Sequence, residues 1–401
     1  MNDLYWFNPD NEMSVANGGA SYTLPGNIAA MADDLSFLPA CLAADGDFVL
    51  VPEPVDAFFL DRFRDLFRKD VRPVLRADLS TLAFGRVLPW GWSPRAHRVL
   101  APAVANASPA FRRSPAAVWD DTCRDLRSRV RALDCLRLLR GRLDMPCLAD
   151  LPAVCGSLEE VRRLAAVRPV VVKAPWSSSG RGVLMLRCGP LSAKEEQIVG
   201  GVLRRQGFVM VEPRLRRLLD FAMEFELSSA GAAECLGLSV FFTGDGGGYE
   251  GNLVAAQPLL RARLAAILPD VSLLDGVRGA LTEVLPLLFK GKYEGPLGVD
   301  MMVYEDSDGR PLVQPCVEIN LRHTMGLLAL RLAASLAPGG EGLFRVRYSR
   351  EPGVLARLAA ERRAAAPLRV ENGLLRSGCL ALTPVGEDTR FAAELFVVHE
   401  Q

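Results

Sequence analysis

Histidine is scarce in this chain: only His97, His323 and His399 occur in 401 residues. That excludes a histidine-rich metal site and leaves little support for a Cys/His nucleophilic dyad. The nine cysteines are scattered, odd in number and never spaced Cys-x-x-Cys. They fit reduced, buried thiols rather than a disulfide framework or a zinc site. Neither sign of charge is in excess, since Lys+Arg 47 balances Asp+Glu 47. No bulk field therefore recruits nucleic acid or an anionic membrane. No apolar run approaches the ~20 residues of a membrane span. The opening Met1-Asn2-Asp3-Leu4 has no basic segment followed by a long apolar stretch, so a cytoplasmic location is expected. Aromatic residues are also few, 7% within a hydrophobic fraction of 50%, as in a Leu/Ala/Val-rich enzyme with room for two or three domains.

What the chain does have is concentrated near residue 300. Gly298-Val299-Asp300-Met301-Met302-Val303-Tyr304 and Leu312-Val313-Gln314-Pro315-Cys316-Val317-Glu318-Ile319-Asn320 are apolar runs joined by an Asp308-Gly309 turn. This pattern predicts a β-hairpin. Asp300, Glu318 and Asn320 alternate with apolar neighbours, so they share one strand face while the rest face a core. Hard oxygen ligands in this arrangement suit Mg²⁺ together with phosphate oxygens.

Upstream, Val170-Val171-Val172-Lys173 reads as a strand ending in a lysine, followed by Ser177-Ser178-Ser179-Gly180-Arg181-Gly182 and a further apolar run at 183–186. A small Ser/Gly loop lets backbone N–H groups approach phosphate oxygens. The loop lacks the spacing of a P-loop and is no Gly-x-Gly-x-x-Gly opening a helix. Another strand, 208–215, carries Glu212, and Asp220 precedes the alternating run 221–227. On these residues alone, Glu212 and Asp220 are either polar strand ends or groups that bond an adenine and a ribose.

The first 110 residues or so alternate strand and helix, with strands at 4–7 and 48–52 and helices near 26–44 and 56–68, which suggests an α/β unit. Asn8, Asp10 and Asn11 follow the first strand, where open sheets bind ligands, although an Asx-type turn is the alternative. An Arg-rich helical region spans about 115–142, more readily a solvated face than an anion patch. Helices are also expected at about 327–337 and 352–365, and strands at 378–382 and 391–398.

Taken in order, Lys173, the loop 177–182, the Val211-Glu212 strand, Asp220, Asp300 and Glu318-x-Asn320 resemble the ATP-grasp superfamily over about 115–330. The Asn8-Pro9-Asp10-Asn11 start and Pro89-Trp90-Gly91-Trp92 are similar to an uncharacterised bacterial branch with an N-terminal pre-ATP-grasp domain. The resemblance implies an α/β fold of two α+β lobes behind that domain. The expected divisions are 1–114 (pre-ATP-grasp), 115–215 (linker and small lobe), 216–345 (large lobe with the metal site) and 346–401 (C-terminal extension).

It also implies roles. Lys173 would contact the α/β-phosphates, and Ser178, Ser179, Gly180, Arg181 and Gly182 would cover the β/γ-phosphates. Glu212 would hold the adenine edge and Asp220 the ribose. Asp300, Glu318 and Asn320 would hold Mg²⁺, with Mn²⁺ as an alternative. The family usually has a further cation, often Lys, before the small lobe. Only arginines stand there in this chain; Arg129 is the choice, with Arg127 and Arg131 as alternatives. Arg322, with Thr324 nearby, would meet a substrate carboxylate or developing acyl-phosphate, its alternative being a structural ion pair. His323 is expected to be structural, and Glu224 and Glu226 either edge a strand or reach the substrate cavity.

The implied activity is an ADP-forming ligase joining a carboxylate to an amine or thiol. Alternatives are a small-molecule kinase and a non-catalytic nucleotide-binding module. The partners are thus small molecules or peptides rather than nucleic acid or membrane, and a dimer is one option for the oligomeric state. The glycine-rich loop 244–252, with Tyr249 and Asn252, is expected to shape the substrate cavity as a lid or simple connection.

Overall fold

The computed structural model describes residues 1–177, 182–244 and 248–398. Short apolar strands β1 (Leu4–Trp6), β2 (Phe48–Leu50), β3 (Arg72–Val74) and β4 (Val87–Pro89) form an all-parallel sheet in the order β3-β2-β1-β4. Such pairing needs crossover connections, and helices supply them. The helix Ala57–Phe67 starts where Asp56 accepts the Phe59 N–H, and Pro94–Ala105 starts where Ser93 accepts that of Ala96. The helix expected over 26–44 stops at Asp34, and a 3₁₀ turn, Leu38–Cys41, replaces the rest. Pro39 has no N–H to continue the ladder and disfavours helical geometry at the residue before it. Likewise the 115–142 region is three short pieces, the second opened afresh by the Asp120 cap on Cys123.

Strands β5 (Ala153–Cys155), β6 (Val170–Lys173), β7 (Val183–Leu186) and β8 (Val209–Pro213) make a small antiparallel sheet in the order β5-β8-β6-β7. Val170, Val172, Val209 and Val211 bury one face against Val161, Ala165 and Val199 of two capped helices, Leu158–Val167 and Ala193–Gln206. By alternation, Val171, Lys173, Met210 and Glu212 occupy the other face.

The remaining strands are β9 (Arg216–Leu227), β10 (Ala233–Thr243), β11 (Tyr249–Ala255), β12 (Gly295–Glu305), β13 (Pro311–Asn320), β14 (Glu341–Tyr348), β15 (Arg369–Glu371), β16 (Leu374–Ala381) and β17 (Phe391–Val398). They form one sheet in the order β13-β12-β9-β10-β11-β14-β17-β16-β15. Phe221, Met223, Phe225 and Leu227 of β9 share a core with Val277, Leu281, Val284 and Leu285 of the helix Leu273–Phe289. Asp220, Ala222, Glu224 and Glu226 therefore take the opposite face. The β12–β13 turn is closed by Asp306, whose Oδ1 accepts from Asp308 and Arg310 N–H at 2.9 Å. Gly309 supplies the left-handed residue there, at φ 77°.

The helix Met325–Ala333 carries the Glu318–Asn320 end of β13 back to the parallel sheet. Its Leu328, Ala329 and Leu332 share one core with Tyr5, Phe7, Phe37 and Leu38, and with Leu380 and Leu395 of the C-terminal strands. The N-terminal sheet is thus packed onto the large lobe. All nine cysteines are free thiols, and among the described residues no helix is long and apolar enough to cross a membrane.

Candidate functional site

Asp300 lies directly opposite Glu318 in the β12–β13 register, and Gly298 opposite Asn320. Asn320 Nδ2 donates to Asp300 Oδ2 at 3.0 Å, and its Oδ1 accepts from Arg322 Nη2 at 3.0 Å. Desolvation, then repulsion from Glu318 and Glu224, pushes the Asp300 carboxyl well above the usual carboxylate range. Adjacent carboxyl groups plus an amide oxygen are a donor set that fits a hard divalent cation. Behind them Glu224 is only 2% exposed. It accepts from Thr324 Oγ1 at 2.7 Å and Ser239 Oγ at 2.9 Å, and burial raises its pKa to about 7. A Cβ at Gly298 would lie 2.8 Å from Glu224 Oε2, and one at Gly326 would collide with Oε1, so both glycines make room for this carboxyl.

From the small lobe, Lys173 ends β6 and its Nζ pairs with the Glu212 carboxylate of β8. Arg129, just before the helix Val130–Arg140, is buried and spans both lobes. Its Nη1 donates to Ala174 O at 2.7 Å and to Ser177 Oγ, while Nη2 lies 2.9 Å from Glu318 Oε1. Its own N–H donates to Pro175 O at 3.0 Å. Of the alternatives, Arg127 also lines the cleft with Ser177, Glu318 and Arg322, but both make their bonds elsewhere. Arg127 donates to Cys123 O and lies over the Trp119 and Tyr293 rings, and Arg131 pairs with Asp134. Gly182 accepts from the Ala174 N–H at 2.8 Å where the β6–β7 loop closes, whereas Ser178, Ser179, Gly180 and Arg181 lie outside the described residues. Asp220 accepts from Thr243 Oγ1 at 2.7 Å and Arg217 Nη1 at 2.8 Å, and stands opposite Met302 on the sheet.

The N-terminal domain adds a third wall. Arg322 Nε donates to Glu12 Oε1 at 2.8 Å, and Nη1 to His323 O at 3.2 Å. His323 donates its N–H to Trp90 O at 2.9 Å, its Nδ1 lies 3.1 Å from Pro89 O, and burial lowers its pKa to about 4. It packs as a neutral strut between the rings of Tyr5 and Trp90.

Asn8, Asp10 and Asn11, all buried, are struts too. Asn8 exchanges hydrogen bonds with Gly91 (Nδ2 to O at 2.7 Å, Oδ1 from N at 3.2 Å), and Asn11 Nδ2 donates to Asn8 O. Asp10 pairs with Arg95 at 3.2 Å. A Cβ at Gly91 would come within 2.5 Å of Asn11, which explains Gly between the two tryptophans. The residue after this motif, Glu12, is the one that reaches Arg322, and nothing in the local sequence marks it for that contact. Tyr249 donates to Asn252 Oδ1 at 2.6 Å, and Asn252 Nδ2 to Val240 O at 3.2 Å, knitting β11 to β10. Residues 245–247 of that loop lie outside the described residues.

Glu12, Ser177, Glu318, Asn320 and Arg322 thus line one cleft of a mixed α/β protein, with Arg129 bonded to Ser177 and Glu318, Asp300 bonded to Asn320, and the Lys173–Glu212 pair on the strands that lead to it. No family model matches the chain, and no curated protein does. Solved structures do. A biotin carboxylase from Campylobacter jejuni, a β,γ-ATP complex, is 11% identical, with a TM-score of 0.51, covering 100% of this chain and 88% of its own. The biotin carboxylase domain dimer of Hydrogenobacter thermophilus 2-oxoglutarate carboxylase, with MgADP, ADP and bicarbonate, is 12% identical, with a TM-score of 0.50 and coverages of 100% and 86%. The protein has the ATP-grasp fold.

Proposed function

We propose that this protein is an ATP- and Mg²⁺-dependent ligase that activates a carboxylate as an acyl-phosphate and passes the acyl group to an amine or thiol. The observation carrying this reading is Arg129, whose fork ties the backbone before the Ser/Gly loop to Glu318 of the metal hairpin. A γ-phosphate between them would meet a guanidinium, Lys173 and a cation site together. The MgADP and bicarbonate bound by the Hydrogenobacter thermophilus neighbour support the same class of chemistry.

Asp300, Glu318 and Asn320 would hold Mg²⁺, which when bound neutralises charge on the phosphate oxygens. Lys173 binds the α/β-phosphates, Glu212 the adenine edge and Asp220 the ribose. In the first step a substrate carboxylate oxygen attacks the γ-phosphorus, and the bond to the β-bridging oxygen breaks to release ADP. In the second, the lone pair of a neutral amine or of a thiolate attacks the acyl carbon. Phosphate leaves with the C–O electron pair, and an amine nitrogen sheds a proton to phosphate or solvent. Arg322 stabilises the carboxylate and then the acyl oxyanion. These residues act by positioning and charge neutralisation. Asp300→Asn or Glu318→Gln should remove ADP formation while far-UV circular dichroism stays native. Undiminished ATP turnover would contradict the proposal. Product analysis separates a ligase, which frees phosphate, from a kinase, which leaves it on the acceptor.

A further inference from the structure

Arg322 stands where the cleft meets a larger cavity between the N-terminal domain and the large lobe; Leu321 and Arg322 line both. The cavity has about 340 Å³, whereas the cleft that holds Glu12, Ser177, Glu318 and Asn320 has about 30 Å³. That is room for about two water molecules and too little for a substrate acid beside a phosphate. Glu12 enters this cleft from the N-terminal domain, on the helix Asn11–Asn17, and its Oε1 accepts from Arg322 Nε at 2.8 Å.

The three partners of this guanidinium differ in how firmly they are held. Nη1 donates to His323 O at 3.2 Å, and His323 is anchored in turn by its N–H to Trp90 O at 2.9 Å. Nη2 donates to Asn320 Oδ1 at 3.0 Å, and Asn320 Nδ2 is tied to Asp300 at 3.0 Å. Glu12 is held by less. Among the described residues its carboxylate has no hydrogen-bond or ion-pair partner besides Arg322, and its side chain is 22% exposed. The backbone around it is fixed, since Asn11 Nδ2 donates to Asn8 O at 3.0 Å and Ser14 N–H to Asp10 O at 2.9 Å. Release of Glu12 therefore asks only for rotation about its own side-chain bonds.

We infer that Glu12 is a built-in competitor of the substrate: it lends Arg322 a carboxylate until substrate arrives, and the acid to be activated binds by displacing it. This deepens the ligase reading, on which it rests, by adding an intramolecular gate to the acid site. The contact Glu12 makes is the one the reaction asks of its substrate, a carboxylate oxygen on the Arg322 fork. A partly buried cation left unpaired is costly, and exchange of one carboxylate for another keeps it paired. Only the form with Glu12 released is competent, so the acid's apparent affinity falls in proportion to that fraction. The gate thus excludes weakly held anions and yields to an acid that gains further contacts in the larger cavity.

Acetate binding to the MgADP-loaded protein, followed by saturation-transfer NMR, tests it. Wild type should bind acetate weakly. Glu12→Gln, which keeps the side-chain volume and removes the charge, should bind it about tenfold more tightly. Adding Arg322→Gln to either protein should abolish binding. Glu12→Asp, which keeps the charge on a side chain one methylene shorter, should fall between the two and provides the comparison should Glu12→Gln fold poorly. Equal or weaker binding by Glu12→Gln would make Glu12 a fixed prop for Arg322 and overturn the inference. Binding by that variant but never by wild type would overturn it too, since an outside carboxylate would then not displace Glu12. So would no acetate binding to any of these proteins. The nucleotide titration is read separately: MgADP binding without these acetate differences overturns only the gate, whereas absence of nucleotide binding contradicts the ligase proposal itself.

Discussion

Arg129 shows what a single side chain contributes. Its planar fork reaches two small-lobe acceptors with one nitrogen and Glu318 with the other. A lysine places one point charge and cannot span both. Arg129→Ala should therefore weaken MgATP binding about tenfold, or ~1.4 kcal/mol, measured by calorimetry, and Arg129→Lys should recover only part of that. Equal affinity in the alanine variant would remove Arg129 from the nucleotide site. The residue's importance was only partly legible. Seven arginines crowd residues 124–142, and what distinguishes Arg129 is its place one residue before a helix, facing a strand end 45 positions away. The ion pair between Glu12 and Arg322, 310 positions apart, left no trace in local pattern.

At the scale of elements, the β12–β13 hairpin was the most legible part, because alternation and an Asp-Gly turn are local signals. Its supporting layer was not. Glu224 sits beneath Gly298 and Gly326 only because β9, β12 and the helix Met325–Ala333 converge. Its pKa rises on folding from 4.5 to about 7. The folded state thus holds the proton more tightly, so its stabilising effect is complete below pH 4.5 and lost as pH climbs to 7. Glu224→Gln removes that loss. It should raise stability over wild type by roughly 2–3 kcal/mol at pH 8 and by little at pH 4.5, in urea unfolding at both pH values. No gain at pH 8 would show that the buried carboxylate is compensated.

At the scale of the whole molecule, the N-terminal sheet is joined to the site by Pro89 and Trp90 against His323. This imidazole shifts the other way, from 6.5 to about 4. Its neutral form is favoured by folding, so stability is full above pH 6.5 and falls as pH drops toward 4. His323→Asn should flatten that acid limb while costing stability at neutral pH through lost packing. An unchanged limb would place the proton uptake elsewhere. The strands that carry Lys173, Glu212 and the β12–β13 hairpin were readable from apolar runs and their flanking turn residues, since each signal is local. How the N-terminal domain closes the cleft was not, because Asn8, Gly91 and His323 meet only in three dimensions.

The central claim is a nucleotide site built jointly by the small-lobe lysine and the large-lobe carboxylates. Calorimetric titration of MgATP into wild type, Lys173→Met and Asp300→Asn tests it most directly. One nucleotide should bind per chain, more weakly by at least tenfold in each variant and in EDTA. No binding to wild type, or equal binding to all three proteins, would contradict the account.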